Sequence, residues 1–168
     1  MSGPRFEHVR HRPPRELTRP RELVLALPQM HSNVNFSRVV RAAGCFGVRH
    51  VIAAGRTRID PKIARDSTEF VQIETHRSLV PVLKRKHDEG YQLVALEQAT
   101  NSENLFEFAF DRKTVLIGGH ERLGVEADVL ACVDRVLEIP MYGLPLSLNA
   151  ATTVTIAIYE YCRQFPDG

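Results

Sequence analysis

The sequence predicts an α/β protein in which a mostly parallel sheet is covered by helices on both faces. Short apolar runs alternate along the chain with segments whose apolar residues recur at helical spacing, an order typical of parallel sheets. The runs show little polar alternation, as expected for strands buried on both faces. The 168 residues, 43% of them hydrophobic and 25% charged, are enough for one domain with a single core.

The same patterns predict where the strands and helices lie. Strands are expected at residues 23–27, 50–54, 71–73, 91–96, 114–117 and 136–139. Helices are expected at residues 37–46, 60–67, 78–89, 126–131 and 147–163. Ser147 is the expected N-cap of the last helix, because its hydroxyl can accept a hydrogen bond from a backbone N–H. The aromatic stretch 105–110 fits neither pattern.

Positive charge is concentrated at the N-terminus. The net charge of the chain is +2, whereas residues 1–21 contain six arginines and two glutamates. This stretch is also rich in proline and poor in apolar residues, so we expect a flexible basic arm followed by one domain over residues 22–168. The arm could contact phosphates or be a solvated tail without a role. A second basic run at residues 84–86 is interpreted as a solvated helix face rather than an RNA-binding patch.

The composition argues against several classes of protein. No apolar run approaches the ~20 residues of a membrane helix, and the N-terminus lacks the apolar core of a signal peptide. We therefore expect a cytoplasmic protein. Cys45, Cys132 and Cys162 are odd in number and far apart, without CxxC spacing. Neither a disulfide framework nor a metal site is expected from them.

Ligand-binding residues are expected in the loops after the strands, because parallel sheets bind ligands beyond the carboxyl ends of their strands. Residues 118–124, G-G-H-E-R-L-G, match neither a dinucleotide fingerprint nor a P-loop, but the glycines allow close backbone approach and Glu121 offers an acceptor. Asn35, Arg38 and Arg41 could grip a phosphate or polarise a hydroxyl, or could belong to a solvated helix face.

The segment 139–157 combines the end of a strand, a loop with Gly143 and Pro145, and the start of a helix. Such a segment can place backbone donors and acceptors around a small polar molecule. Taken alone, it could equally be an ordinary connection between a strand and a helix.

Three blocks taken together resemble one family. They are N-F-S-R-V-V-R-A-A-G-C-F-G at 35–47, L-I-G-G-H-E-R-L-G at 116–124 and I-P-M-Y-G-L-P-L-S-L-N-A at 139–150. In order and spacing they are similar to the three motifs of the SpoU (TrmH) class of S-adenosylmethionine-dependent RNA ribose 2′-O-methyltransferases. The resemblance covers roughly residues 23–163.

The resemblance implies a fold, a cofactor and an assembly. The C-terminal part, from about residue 114, would form a deep trefoil knot, which is rare among proteins. S-adenosylmethionine would lie bent in that knot, and the enzyme would be a homodimer whose sites are built from both subunits. The residues expected to line the cofactor are Leu96, Gly119, Ile139 and Leu148.

The resemblance also implies catalytic roles. Arg41 would act at the partner's cofactor, and because an arginine is effectively always protonated we favour it as a stabiliser of the developing alkoxide rather than as a general base. Asn35, Glu121, Ser147 and Asn149 would position the ribose and the loops. For Glu121 and Asn149, a purely loop-bracing role is the alternative.

The expected substrate is RNA, most readily tRNA. The stretch 89–102 is most similar to the eukaryotic-type branch that methylates a D-loop guanosine of tRNA. There are two alternatives to this assignment: methylation of an rRNA ribose, and RNA binding without turnover. Two residues depart from the family pattern, since Ser37 stands where glycine is usual and His120 where small or amide residues are commoner. These departures affect the expected substrate fit rather than the chemistry.

Overall fold

The computed structural model describes residues 5–9 and 12–168. The described residues form a sheet with the strand order β3-β2-β1-β6-β4-β7-β5, and every pair of neighbouring strands is parallel. The strands are β1 Leu23–Leu27, β2 His50–Ala54, β3 Gln72–His76, β4 Gln92–Leu96, β5 Glu103–Asn104, β6 Thr114–Ile117 and β7 Arg135–Glu138. The predicted parallel α/β architecture is confirmed.

Helices cover both faces of this sheet. They are α1 Asn33–Cys45, α2 Pro61–Ala64, α3 Ser67–Phe70, α4 Val80–Asp88, α5 Ala127–Leu130 and α6 Ala150–Gln164. The apolar residues of α1 and α6 pack into a core layer on one face, and those of α4 and α5 into a layer on the other. Within the described residues, no helix is long and apolar enough to span a bilayer.

The central strand β1 explains why the apolar runs do not alternate with polar residues. Leu23, Leu25 and Leu27 pack into the layer under α1 and α6, whereas Val24 and Ala26 pack into the opposite layer. Every residue of the strand is buried. A strand covered on both faces needs apolar side chains at each position, because successive side chains point to opposite sides.

Tyr161 anchors α6 to the sheet. Its side chain is fully buried, and its hydroxyl donates a hydrogen bond of 2.6 Å to the carbonyl of Arg112. Burial raises the pKa of Tyr161 to about 12, so the neutral hydroxyl persists as a donor across the physiological pH range. The hydroxyl thereby ties the end of the last helix to the segment that precedes β6.

Two helices begin at residues that the sequence did not predict. Helix α1 starts at Asn33, before the expected residue 37, because Ser32 is its N-cap and accepts from the backbone N–H of Asn35. Helix α6 starts at Ala150, and its N-cap is Asn149. The assignment of Ser147 as the N-cap was therefore wrong. In both cases more than one polar residue precedes the apolar periodicity, and pattern alone cannot choose the cap.

Other boundaries differ for local reasons. The helix predicted at 60–67 is two single turns, α2 and α3, interrupted at Arg65, whose φ of 51° is incompatible with a continuous helix. Strand β3 has five residues rather than three, since it pairs along all of β2. In the stretch 105–110, Leu105, Phe108 and Phe110 are buried without forming a helix or strand.

The last part of the basic arm contacts the C-terminal end of the domain. Thr18 donates its backbone N–H to the carbonyl of Asp167 at 3.1 Å, and the Arg21 guanidinium donates to the carbonyl of Phe46 at 2.7 Å. Residues 1–4, 10 and 11 of the arm lie outside the described residues. The flexibility of the arm over 1–21 stays a prediction, and these contacts limit how much of it can be free.

Candidate active site

A cavity of about 230 Å³ lies at the carboxyl ends of β4, β6 and β7. The sheet order makes these strands neighbours, so the loops that follow them meet at one edge although they are far apart in sequence. All four residues predicted to contact a cofactor line this cavity: Leu96, Gly119, Ile139 and Leu148. The structure therefore brings the loops after β4, β6 and β7 together around one cavity.

The cavity has an apolar wall and a polar rim. Leu137 and Val154 extend the apolar surface that Leu96 begins. Glu97 and Glu138 supply carboxylates at the rim. This combination can hold a flat heterocyclic ring against aliphatic side chains and place polar groups around a positively charged or hydroxyl-bearing part.

Glu121 is held by a set of hydrogen bonds rather than left open. Its carboxylate accepts from the backbone N–H of His31 at 2.9 Å, the backbone N–H of Ser32 at 3.0 Å and the side-chain amide of Asn35 at 3.1 Å. Asn35 itself is buried, so this contact is shielded from water. The carboxylate ties the second motif to the start of α1.

These hydrogen bonds determine the ionisation of Glu121. Partial burial alone would raise its pKa, but hydrogen bonds from His31, Asn35 and Ser32 favour the charged form and together lower the pKa to about 2. The carboxylate is therefore ionised at neutral pH. With both oxygens engaged, it is placed to brace the loop, which was one of the two roles considered for it.

Asn149 connects the third motif to the same network. Its side-chain NH₂ group donates to the side-chain oxygen Oδ1 of Asn35 at 3.1 Å, while its own Oδ1 accepts from the backbone N–H groups of Ala151 and Thr152. One chain of hydrogen bonds thus runs from Glu121 through Asn35 to Asn149. It links all three motifs beside the cavity, and it makes Asn149 both a helix cap and a bridge.

The glycines of the second motif allow backbone segments to touch. A Cβ built on Gly119 would lie 3.0 Å from the carbonyl carbon of Gly124, and one on Gly118 would lie 2.8 Å from Val154. His120 and Gly124 pair through two backbone hydrogen bonds of 2.8 and 3.0 Å. Any side chain at Gly118 or Gly119 would push this turn away from α6 and the cavity.

Glu97 is a site residue that the sequence analysis did not identify. Its carboxylate accepts from the backbone N–H of Val125 at 2.8 Å and from that of Gln98 at 3.0 Å, and it lines the cavity. It clamps the loop after β4 to the second motif. The available signal was its position immediately after a buried strand, at the edge where ligands bind.

Ser147 and Arg41 occupy different surroundings. Ser147 lines the cavity and is exposed. Arg41 is exposed on α1, six residues beyond Asn35, and does not line the cavity. Within one chain, Arg41 therefore does not contribute to the cavity that Leu96 lines. The role predicted for Arg41, stabilisation of the alkoxide at a partner's cofactor, requires a second chain.

No metal centre accompanies this site in the part of the chain that the structure describes. Over residues 5–9 and 12–168, no group of three or more His, Cys, Asp and Glu side chains is arranged to hold a metal ion. The three cysteines are unpaired and differ in exposure, with Cys45 exposed, Cys132 partly buried and Cys162 buried.

Comparison with known proteins gives a consistent set of relatives. A tRNA (guanosine(18)-2′-O)-methyltransferase of Escherichia coli is 30% identical over 146 residues, which cover 85% of this chain and 64% of the relative. This chain thus spans less than two thirds of that relative's length. A crystal structure of a TrmH/SpoU tRNA modifying enzyme from A. aeolicus has a TM-score of 0.83 at 29% identity and covers 89% of this chain and 78% of that chain.

A third relative is a protein solved to study the 2-OH methylation of C/U34 on tRNA. It has a TM-score of 0.74 at 29% identity and covers 86% of this chain and 96% of that chain. The model of the SpoU rRNA Methylase family matches residues 22–159, which contain all nine predicted site residues and most of the domain. The chain therefore belongs to the SpoU rRNA Methylase family.

Proposed function

We propose that this protein transfers a methyl group from S-adenosylmethionine to the 2′-hydroxyl of a ribose in RNA, with tRNA as the substrate and a D-loop guanosine as the first candidate position. The observation that carries the proposal is the hydrogen-bonded chain from Glu121 through Asn35 to Asn149, which joins the three family motifs beside one cavity. The tRNA assignment draws on the E. coli relative, whose name specifies guanosine 18.

The cavity suits this cofactor. Leu96, Ile139 and Leu148 offer aliphatic contact to an adenine ring, and Gly119 lets the turn at Gly124 pack tightly beside the cavity. When bound, S-adenosylmethionine supplies a methyl group activated by a sulfonium. The carboxylates of Glu97 and Glu138 in the cavity lining favour a ligand that carries positive charge.

The chemistry requires activation of the ribose hydroxyl, which is a poor nucleophile until its proton is removed or its developing charge is stabilised. Arg41 stays protonated and would stabilise the developing alkoxide electrostatically. A phosphate of the substrate would take the proton. Ser147 is exposed at the cavity and would contact the ribose, while Asn35, Glu121 and Asn149 would keep the loops in place.

A homodimer belongs to the proposal, because Arg41 lies outside the cavity of its own chain. Apolar side chains exposed on the loop that borders the site favour coverage by a second copy: Tyr142 is 88% exposed and Leu146 67%. We further propose that the segment from Thr114 onward forms the deep trefoil knot implied by the family motifs, and that the protein acts in the cytoplasm.

The test combines cofactor binding with methyl transfer. We expect the protein to bind S-adenosylmethionine in calorimetry and to methylate unmodified tRNA. A transcript with 2′-deoxyguanosine at position 18 should lose all incorporation, whereas one with a 2′-deoxynucleotide at position 34 should keep it. The opposite pattern would move the target to the anticodon loop, the position studied in one structural relative.

Two further outcomes separate the alternatives. Incorporation into rRNA but not tRNA would favour the rRNA alternative. Cofactor binding without incorporation into any RNA would favour a non-catalytic RNA-binding member of the family.

Arg41→Ala should abolish transfer and leave cofactor affinity nearly unchanged. Full activity in this variant would remove the role assigned to Arg41.

A further inference from the structure

A second, polar cleft of about 450 Å³ lies at the carboxyl ends of β1 and β2, next to the active-site cavity. It is lined by Gln29, His31, Asn33, Arg56, Arg58 and His120, together with Met30. None of the predicted site residues lines it. It is therefore a separate feature whose role the proposed chemistry does not explain.

The lining of the cleft includes two arginines, while the ionised carboxylate of Glu121 lies outside the lining, 3.9 Å from His120 Nε2. Arg56 and Arg58 are exposed, and among the described residues no carboxylate lies within 4.0 Å of either guanidinium. The lining contains no Asp or Glu. Glu121, on the neighbouring motif, already has both oxygens engaged in hydrogen bonds. The cleft is thus suited to an anion.

The loop that carries the two arginines is fixed at both ends. The backbone N–H of Gly55 donates to the carbonyl of His76 at 2.8 Å, and that of Asp60 donates to the Ser37 hydroxyl at 2.8 Å. Ser37 is fully buried and donates in turn to the carbonyl of Asn33 at 2.7 Å. Ser37, one of the two departures from the family pattern, therefore holds the arginine loop against α1.

His120, the other departure, forms a wall between the cleft and the active-site cavity, since it lines both. Its Nδ1 accepts from the backbone N–H of Arg122 at 3.1 Å and from that of Leu123 at 3.3 Å. In the neutral ring the proton then resides on Nε2. That nitrogen lies 3.9 Å from the Glu121 carboxylate, too far for a hydrogen bond, so it can donate to a ligand.

We infer that this cleft binds a backbone phosphodiester of the RNA strand beside the target ribose, with Arg56 and Arg58 as its cationic contacts and His120 as the donor nearest the site of methyl transfer. The inference rests on the proposed function and extends it by naming where the strand enters. Arginine suits this ligand, because its guanidinium matches the geometry of a phosphate. The two unusual motif residues then both support phosphate binding, since Ser37 holds the arginine loop in place and His120 donates to the phosphate.

The test measures RNA binding rather than turnover. In fluorescence anisotropy with labelled tRNA, R56A/R58A should raise the dissociation constant by about 10- to 100-fold. The negative slope of log affinity against log salt should become shallower by about 2, one for each lost phosphate contact. The control R49A/K113A removes the same charge at the amino ends of β2 and β6. It should change the dissociation constant by less than about twofold and leave the salt slope at the wild-type value. R56K/R58K should keep the salt slope.

Cofactor affinity distinguishes the cleft from the methyl-donor site. The R56A/R58A variant should bind S-adenosylmethionine as the wild type does in calorimetry. A lost cofactor affinity would assign the arginines to the donor and overturn the inference, as would an RNA affinity and salt slope equal to those of R49A/K113A. A wild type that binds RNA but transfers no methyl group would refute the proposed function. The RNA-binding assay requires no turnover, so its salt slopes would still show whether the cleft binds a phosphate.

Discussion

At the residue scale, Glu121 shows how one carboxylate at the edge of a cavity can hold two loops together. It satisfies two backbone N–H groups at the start of α1 and the side-chain amide of Asn35. Buried donors that lose their acceptor cost free energy, so the effect of removing this group should exceed that of removing an exposed carboxylate. The same hydrogen bonds make the contribution depend on pH.

Glu121→Gln tests this interpretation. The amide oxygen can replace Oε1 as acceptor for Ser32 and Asn35, but the NH₂ group then faces the backbone N–H of His31, which loses its acceptor. We therefore expect the free energy of unfolding to fall by about 1 to 3 kcal/mol at pH 7. The pKa of Glu121 is lowered to about 2 in the folded protein, below its ordinary value. Its contribution is therefore present above about pH 4.5 and is lost as the pH falls toward 2.

Urea unfolding of the wild type and the variant at several pH values checks both parts. The difference in stability should be largest at neutral pH and should shrink steadily below about pH 4.5. A difference that stays constant down to the acid limit would mean that the carboxylate charge is not what stabilises the loop.

His120→Asn separates the two nitrogens of the ring. The asparagine oxygen can take the place of Nδ1 as acceptor for the backbone N–H groups of Arg122 and Leu123, whereas the Nε2–H donor is lost. We expect KM for RNA to rise about 3- to 10-fold with a smaller change in kcat. Cofactor affinity, measured by calorimetry, is the control. An unchanged KM would assign His120 to the turn alone.

At the element scale, the start of α6 provides a matched pair of variants. Asn149→Ala removes the N-cap and the bond to Asn35, so we expect a loss of at least about 1 kcal/mol in the free energy of unfolding. Ser147→Ala, two residues earlier and exposed, should stay within about 0.5 kcal/mol of the wild type.

Chemical denaturation of both variants measures the difference directly. Equal destabilisation by the two substitutions would contradict the assignment of Asn149 as the cap. The comparison concerns stability alone, since Ser147 is also proposed to contact the ribose.

The elements show what the sequence could predict and why the rest escaped it. Buried strands such as β1 and β6 were predicted with their observed bounds, because burial on both faces leaves an unbroken apolar run. Helix starts were not, since Ser32 and Asn149 compete with other polar residues for the cap. The choice depends on which side chain can reach a backbone N–H in three dimensions.

In the candidate site, too, some residues were predictable from sequence motifs and others only from the folded structure. Motif resemblance identified Leu96, Gly119 and Ile139, which do line one cavity. It did not identify Glu97, whose role comes from reaching across to Val125 in another loop. Ser37 and His120 were recognised as departures from the family pattern, but nothing in the sequence connected the two residues. Their common position beside the polar cleft appears only when β1 and β2 are folded side by side.

At the scale of the whole molecule, strand order determines which loops can cooperate. Strand β4 lies between β6 and β7, so the loops after all three strands surround one cavity. Helix α1 lies on one face of this sheet, and its exposed Arg41 is outside that cavity. An isolated chain would therefore hold the donor but lack the residue proposed to stabilise the alkoxide.

Mixed dimers test this division between subunits. One chain carries Arg41→Ala and keeps its cavity. The other keeps Arg41 and carries Leu148→Arg, which places a long charged side chain where the adenine ring should contact Leu148. Each variant alone should be inactive. In a mixed dimer, the intact Arg41 can serve the intact cavity of the other chain, so one of two sites is complete and we expect about half of the wild-type activity.

The measurement uses the two variants co-expressed with different affinity tags and purified over both, so that only mixed dimers are assayed for methyl transfer to tRNA. If Arg41 instead acted on the cavity of its own chain, both sites in every mixed dimer would be defective. The mixed dimers would then be as inactive as either variant alone. A protein that elutes as a monomer at assay concentration and is still fully active would reject the shared site as well, because every residue needed for transfer would then have to come from one chain.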